Sequence, residues 1–452
     1  MSDFMFMLES HLSPEQNQVV AVLESAAEAS GAHVFLTGGA MRDMLGGFPI
    51  RDLDFTVEGN PAKVVKQITQ KGGAKVTASD DSRKSFQMLF PNGVSSELAM
   101  AIESRYPKAA SKPVVKPATI HEDLKGRDFT INSIAISLNK GSRGLLLDPM
   151  NGRADLESRE LRANNLYTLY DDPGRILRMF RMRARLGFEL DPRTQSQYEN
   201  VREAKLEEKI SRACLLEELH HMSGEPNLEF LMEIFDHERL WPLFSPALAG
   251  SKLNASGISK LEKARQMVPF GAEFHAEYFG LFVFLLAEKL SAKEKSELIK
   301  HLGMPKSDVE AWQKIEQKSK PLEKTLKSAR LNKASAVYQT LRQAQGELVL
   351  FLFLRTGQRL VHDRIKNHLT KYLAGVQEVT DKDVATHFNA DPADGKFKKL
   401  KEDYTLALLD GRIRKPVPPP EPMPISHGPG RPPGGPGRPP GGPGRPPIRR
   451  AV

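Results

Sequence analysis

Residues Leu36–Phe55 read LTGGAMRDMLGGFPIRDLDF. The spacing of this stretch predicts a strand ending near Thr37, a glycine turn, a helix over 40–45 and a second strand over 51–57. In that second strand Leu53, Phe55 and Val57 alternate with Asp52, Asp54 and Thr56, the two-residue period of a half-buried strand. Asp52 and Asp54 therefore project from one face. Two carboxylates held side by side form a divalent-cation site and suit activation of an attacking hydroxyl in phosphoryl transfer. The plainer alternative is a solvated strand face. Gly38-Gly39, placed just before a helix, lets the backbone approach a phosphate while unpaired N–H groups and the positive end of the helix dipole face it. Arg42 in the first turn adds a guanidinium for the same anion. Taken alone, the glycine pair also fits an ordinary strand–turn–helix joint.

Working outward, residues 14–30 have helical spacing, with Val19, Val20, Leu23 and Ala26 on one face. Asn60 and Pro61 mark the start of a helix over 61–71. Short β-like runs follow at 86–90, 97–102 and 134–138. Strand signals nearly vanish from Leu166 onward, where amphipathic stretches are broken by Gly224, Pro226, Pro242, Pro246 and Pro305. The expected fold class is α+β: a head with a small mixed sheet and helices, then an all-α neck, body and tail, then a disordered C-terminus. The boundaries read as 1–165 for the head, 166–225 for the neck, 226–412 for the body and tail, and 413–452 for the disordered end.

That end repeats GPGRPPG from Gly428 and holds nothing apolar enough for a core. Residues 411–452 carry eight arginines and lysines against Glu421, a net +7 of the whole chain's +9. The basic character is thus concentrated in the tail; it permits nucleic-acid binding without establishing it. The single cysteine, Cys214, rules out an intramolecular disulfide and a cysteine-rich metal site. A reducing, cytoplasmic compartment is the expectation. The apolar runs at 278–287 and 348–354 fall short of the roughly 20 residues that span a bilayer. They predict buried core helices and no membrane partner. MSDFMFMLESHL lacks a basic n-region and predicts no signal peptide.

Two further blocks carry charge in suggestive places. EDLKGRDFTINSIAISL spans Glu122–Leu138, and DDPGRILRMFRMRARLGF spans Asp171–Phe188. Pro173 suits the first helical position, which makes Asp172 a natural N-cap. Asp128 reads as a helix cap and Asn132 as a turn hydrogen bonder on local grounds.

In order and spacing, these blocks and the glycine–aspartate stretch resemble the bacterial class II tRNA CCA-adding enzymes and the related poly(A) polymerases. The resemblance is strong over about 33–190 and covers LLLDPMNGRADL (Leu145–Leu156) as a connector. It implies that Gly38, Gly39 and Arg42 hold the incoming triphosphate and that Asp52 and Asp54 hold magnesium (Mg2+). Arg127 would contact the nucleotide, with Asp128 and Asn132 shaping its sugar–phosphate pocket. Asp172 and Arg175 would read the base, and Arg178 and Arg181 would continue the lining at intervals of three. A carboxylate accepting from an exocyclic amine, beside an arginine donating to ring acceptors, suits cytosine and adenine and rejects guanine and uracil. Glu97 is an acid that would support the metal site. The chain departs from the pattern at Gly126, where an arginine usually precedes Arg127.

The function that follows is template-independent addition of C, C and A to the tRNA 3′ end, with the acceptor end of tRNA as partner and ATP and CTP as substrates. Surface lysines such as Lys314, Lys318, Lys320 and Lys327 suit an RNA phosphate backbone, the plainer alternative being a solvated helix face. A-only, CC-only or poly(A) addition shares the same motifs. A non-catalytic RNA-binding protein is the rival of a different class. Some relatives carry a His-Asp phosphohydrolase domain, but His362-Asp363 has neither the upstream histidine nor the downstream aspartate that such a site requires. Trp241 reads as part of a packed helix end. Oligomeric state is not legible.

Overall fold

The computed structural model describes residues 3–81 and 83–414; most of the Gly/Pro/Arg segment expected at 413–452 lies outside them. The head is built on strands β1 (His33–Thr37), β2 (Leu53–Glu58), β3 (Lys75–Asp80), β4 (Ser85–Leu89), β5 (Ser95–Met100), β6 (Ile102–Arg105), β7 (Val114–Pro117), β8 (Ala135–Ser137) and β9 (Leu146–Leu147). Seven of them form one sheet in the order β3-β4-β5-β2-β1-β8-β9, while β6 and β7 make a separate hairpin. β2 runs parallel to β5 and antiparallel to β1, so the aspartate-bearing strand lies inside the sheet with a ladder on each side.

The alternation read from the sequence sets the two faces. Leu53, Phe55 and Val57 of β2 and Val34 and Leu36 of β1 are buried together. The helices Pro14–Ser30 and Pro61–Lys71 pack on each other and reach β1 and β5 respectively. The first of these starts at a capping box, Ser13 with Gln16, and ends at Gly31 in the left-handed region. The second starts at Asn60, whose side chain accepts the Ala62 N–H at 3.0 Å. On the opposite face Phe35 packs with Ile120, Leu124 and Ala135. Thr37, Asp54 and Thr56 share that face, beside the helix Ile120–Gly126.

The sheet is wider than the sequence suggests. β3 is exposed along its whole length, so it carries no apolar alternation to read. The run at 97–102 divides into the end of β5 and the start of β6.

Beyond the head the chain is almost entirely helical, starting with Gly174–Leu186, Pro192–Glu203 and Arg212–Ser223. Tyr278–Leu286 is buried nearly all round and packs against Ala255–Gln266 and Lys306–Gln313, as its uninterrupted apolar run predicts. Trp241 is fully buried among Phe235 and Phe244. Among the described residues no helix is long and apolar enough to cross a membrane. A second compact unit begins at Val379, inside the range read as body and tail. Its helices Asp381–Phe388 and Phe397–Leu409 close around Val379, Val384, Phe397 and Tyr404.

Candidate nucleotide and metal site

β1 delivers the chain to Gly38, whose φ of 66° and ψ of −125° only glycine adopts without strain. This kink starts the helix Gly39–Leu45. A Cβ on Gly38 would stand 3.2 Å from Arg127 Nη1 and 3.9 Å from Asp54 Oδ2. The glycine turn, the acidic strand and Arg127 therefore meet in one place.

Thr37, Asp54 and Glu97 lie in one row across three strands, each directly opposite the next. Asp52 precedes the first ladder residue of β2 and is exposed. Burial, then the neighbouring charges of Asp52 and Glu97, push the Asp54 carboxyl up from 3.8 to about 6; Arg127 and Arg42 oppose the rise without cancelling it. Among the described residues no three His, Cys, Asp or Glu side chains converge as a complete metal cage. Magnesium does not require one, since it usually takes one or two carboxylates with phosphate and water oxygens filling its shell. A strained cluster of carboxylates beside a backbone turn suited to phosphate is a donor set that fits such an ion.

Arg127 is held rigidly. Its Nε donates to Asp123 Oδ2 at 3.0 Å, and its Nη2 to Thr37 Oγ1 at 3.2 Å and Thr56 Oγ1 at 2.9 Å. Arg42 is buried. It donates to Asp43 Oδ1 through Nε at 2.9 Å and Nη2 at 2.8 Å, and to Asn132 Oδ1 through Nη1 at 2.9 Å. Asn132 in turn donates to Asp128 Oδ1 at 3.0 Å, and Asp128 Oδ2 accepts from Arg178 Nη1 at 3.1 Å. Burial works against charging Asp128, but Arg178 and Arg175 outweigh it and hold the carboxyl near 2.

The chain of ion pairs continues into the helices. Arg178 Nε reaches Glu218 Oε1 at 3.3 Å; Arg181 donates to Glu218 Oε2 at 2.8 Å and to Glu225 Oε1 at 2.9 Å. Arg185 donates to the other oxygen of Asp43, Oδ2, at 2.8 Å. Arg181 is itself buried, so it faces these carboxylates and not open solvent.

Asp172 and Arg175 stand at the start of Gly174–Leu186, their charged groups 3.8 Å apart. Asp172 Oδ1 accepts the Gly174 N–H at 3.0 Å, although the helix starts one residue later than expected, with Pro173 and not Asp172 at its N-cap. Arg175 Nη2 donates to the Gly126 carbonyl at 3.2 Å. The position that departs from the resembled pattern is therefore used through its backbone. A cavity of about 370 Å³ beside this turn is lined by Leu166, Tyr170, Pro192, Arg193, Ser196, Gln197 and Asn200; none of the residues singled out above lines it.

The structure thus brings Gly38, Asp54 and Arg127 to one point and links Arg42, Asn132, Asp128 and Arg178 in one hydrogen-bonded chain, the two meeting at the consecutive residues Arg127 and Asp128, with Asp172 and Arg175 joined through the 126–127 backbone. The sequence reading missed Asp43, Asp123, Glu218 and Glu225. Glu218 had a signal: with Leu215, Leu219 and Met222 it occupies one helical stripe, so a charge there demands a buried partner.

A glycine turn facing acids on the next strand thus sits in a mixed-sheet head that is followed by a mostly helical body. Residues 34–162 match the poly A polymerase head domain. An A-adding tRNA nucleotidyltransferase of Aquifex aeolicus is 28% identical over 75% of this chain and 40% of its own. A CCA-adding enzyme of Lacticaseibacillus paracasei is 28% identical over 63% of this chain and 69% of its own. A solved tRNA nucleotidyltransferase, complexed with a primer tRNA and an incoming ATP analog, is 26% identical with a TM-score of 0.51, covering 79% of this chain and 98% of that one. The chain spans less than half the length of the A-adding relatives it matches.

Proposed function

We propose that this protein is a template-independent tRNA nucleotidyltransferase that adds C, C and A to the tRNA 3′ end from CTP and ATP, releasing pyrophosphate. The observation that carries the reading is the meeting of Asp54, the Gly38 kink and Arg127 within a few ångströms, one connected group away from Asp172 and Arg175. Asp52 and Asp54 would hold magnesium. When bound, that ion lowers the barrier to in-line displacement at the α-phosphate by neutralising charge on the attacking and leaving oxygens. The chain's own residues do the remainder. The Gly38-Gly39 backbone and Arg42 receive the triphosphate, and Arg127 is held against Thr37 and Thr56 to face it. Asp172 accepts from the amine of cytosine or adenine, and Arg175 donates to a ring acceptor. Asp128 and Asn132 connect the two ends, with Arg178 and Arg181 behind them. The helices after the head would hold the acceptor end by shape and phosphate contacts, since such readout serves every tRNA.

A-only addition is the second reading, favoured by the likeness to an A-adding relative over three quarters of this chain. Purified protein incubated with tRNA lacking CCA, tRNA ending in CC and unstructured RNA separates the readings. Discrete C, C, A addition supports the first, and a single A on the CC-ending substrate alone supports the second. Long A tails on unstructured RNA would defeat both.

A further inference from the structure

We infer that Arg51 is a positioning residue, a latch that ties the segment carrying Asp52 to the buried carboxylate of Glu225. The inference rests on the nucleotidyltransferase reading above. Asp52 lies just before Leu53, the first residue of β2, so the sheet does not fix it. Arg51, bonded directly to Asp52, reaches away from the sheet. Its Nη1 donates to the Gly224 carbonyl at 3.4 Å and its Nη2 lies 3.7 Å from Glu225 Oε2.

Glu225 is built to receive a cation. Its side chain is 3% exposed. Oε1 accepts from Arg181 at 2.9 Å, whereas Oε2 is buried with no hydrogen-bond partner. Arg51 Nη2, at 3.7 Å, is close enough to Oε2 for attraction and slightly too far for a hydrogen bond. The turn behind it is stiff: Arg265 donates to the carbonyls of Ser223, Gly224 and Glu225 while lying over the Tyr278 ring at 4.0 Å. Movement that closes the gap therefore falls on Arg51 and carries Asp52 with it. Glu225 also ends the run Asp128–Arg178–Glu218–Arg181. One carboxylate thus ends the arginine–carboxylate run behind Asp172 and Arg175 and, through Arg51, touches the segment that carries Asp52.

The test compares Arg51→Met, Arg51→Lys, Glu225→Gln and the Arg51→Met/Glu225→Gln double variant, with CTP, Mg2+ and tRNA lacking CCA. Misplacing a reacting group costs rate before affinity. Arg51→Met should lower kcat about tenfold with KM for CTP unchanged, and should raise the Mg2+ concentration for half-maximal rate. Arg51→Lys should recover most of the loss, and the double variant should be no slower than Arg51→Met. Melting temperatures in EDTA should show the same non-additivity, a readout independent of turnover. Additive losses, an Arg51→Lys variant as slow as Arg51→Met, or a raised KM at unchanged kcat would overturn the latch. If Glu225→Gln does not fold, the Arg51→Met and Arg51→Lys pair decides. A wild-type protein that extends no RNA would instead overturn the nucleotidyltransferase reading, and the EDTA melts would still judge the latch.

Discussion

Replacing Asp54 with asparagine should abolish nucleotide incorporation and, in the absence of divalent cations, make the protein more stable. The carboxyl is raised from 3.8 to about 6 by burial and by Asp52 and Glu97. Its ionised form is therefore disfavoured in the fold, by about 3 kcal/mol at pH 7. The sign follows from the direction of the shift. A folded pKa above the unfolded value leaves stability intact below about pH 4, and that stability is lost as pH rises through about 6. The neutral, nearly isosteric amide escapes the loss. Asp54→Asn should then melt a few degrees above wild type at pH 7.5 in EDTA, and the gap should close as pH falls from 6 to 4. Magnesium should raise the wild-type melting temperature and leave the variant's unchanged. Calorimetry across this pH range checks it. A variant that melts at or below wild type in EDTA at pH 7.5, or a gap insensitive to pH, would refute the electrostatic account of the site.

Gly38→Ala places a Cβ in a backbone region reserved for glycine, costing about 1–3 kcal/mol; incorporation should fall at least about tenfold while circular dichroism stays native. Asp128→Ala takes the acceptor from the Asn132 amide and the Phe129 N–H while half-exposed Arg178 keeps Glu218, and should destabilise by about 1–3 kcal/mol, read by urea denaturation. With the Asp128 carboxyl near 2 in the fold, its wild-type contribution is present above about pH 4 and lost as pH falls through 2. Substituting Asp172 or Arg175 with alanine should admit U and G into the product, as sequencing of extended tRNA would show; unchanged base choice would remove both from base reading. Gly152→Ala drives a Cβ to 2.1 Å from the Thr130 carbonyl oxygen, and should lower the melting temperature markedly through overpacking worth about 1–3 kcal/mol or more.

The sequence made some of these features legible and hid others, for physical reasons. β2 announced itself because one of its faces is packed and the other polar, which writes a period of two into the chain. β3 lies at the sheet edge, exposed throughout, and the β6–β7 hairpin is likewise largely exposed; burial imposes no pattern on either. The glycine pair and its facing acids were readable because backbone geometry and charge each demand particular residue types there. The apolar stripe marked Glu218 as needing a buried partner, but not which one, since Arg181 lies 37 residues away; Glu225, in the turn between two helices and 44 residues from Arg181, carried no such pattern. Arg181 illustrates the same limit from the other side: with Leu177, Phe180 and Ala184 it occupies a buried stripe, so its environment is defined by packing against another helix.

The placement of β2 between two ladders divides rigidity from adaptability. Shifting Asp54 would require breaking backbone pairing with β1 and β5 at once, so the floor of the proposed site tolerates little drift. Base choice, in the function proposed above, would rest instead on side chains at one helix end, whose contacts can be rewired one residue at a time. Efforts to change which letter is added should accordingly leave the sheet alone and diversify 172–178 together with the carboxylates that brace it.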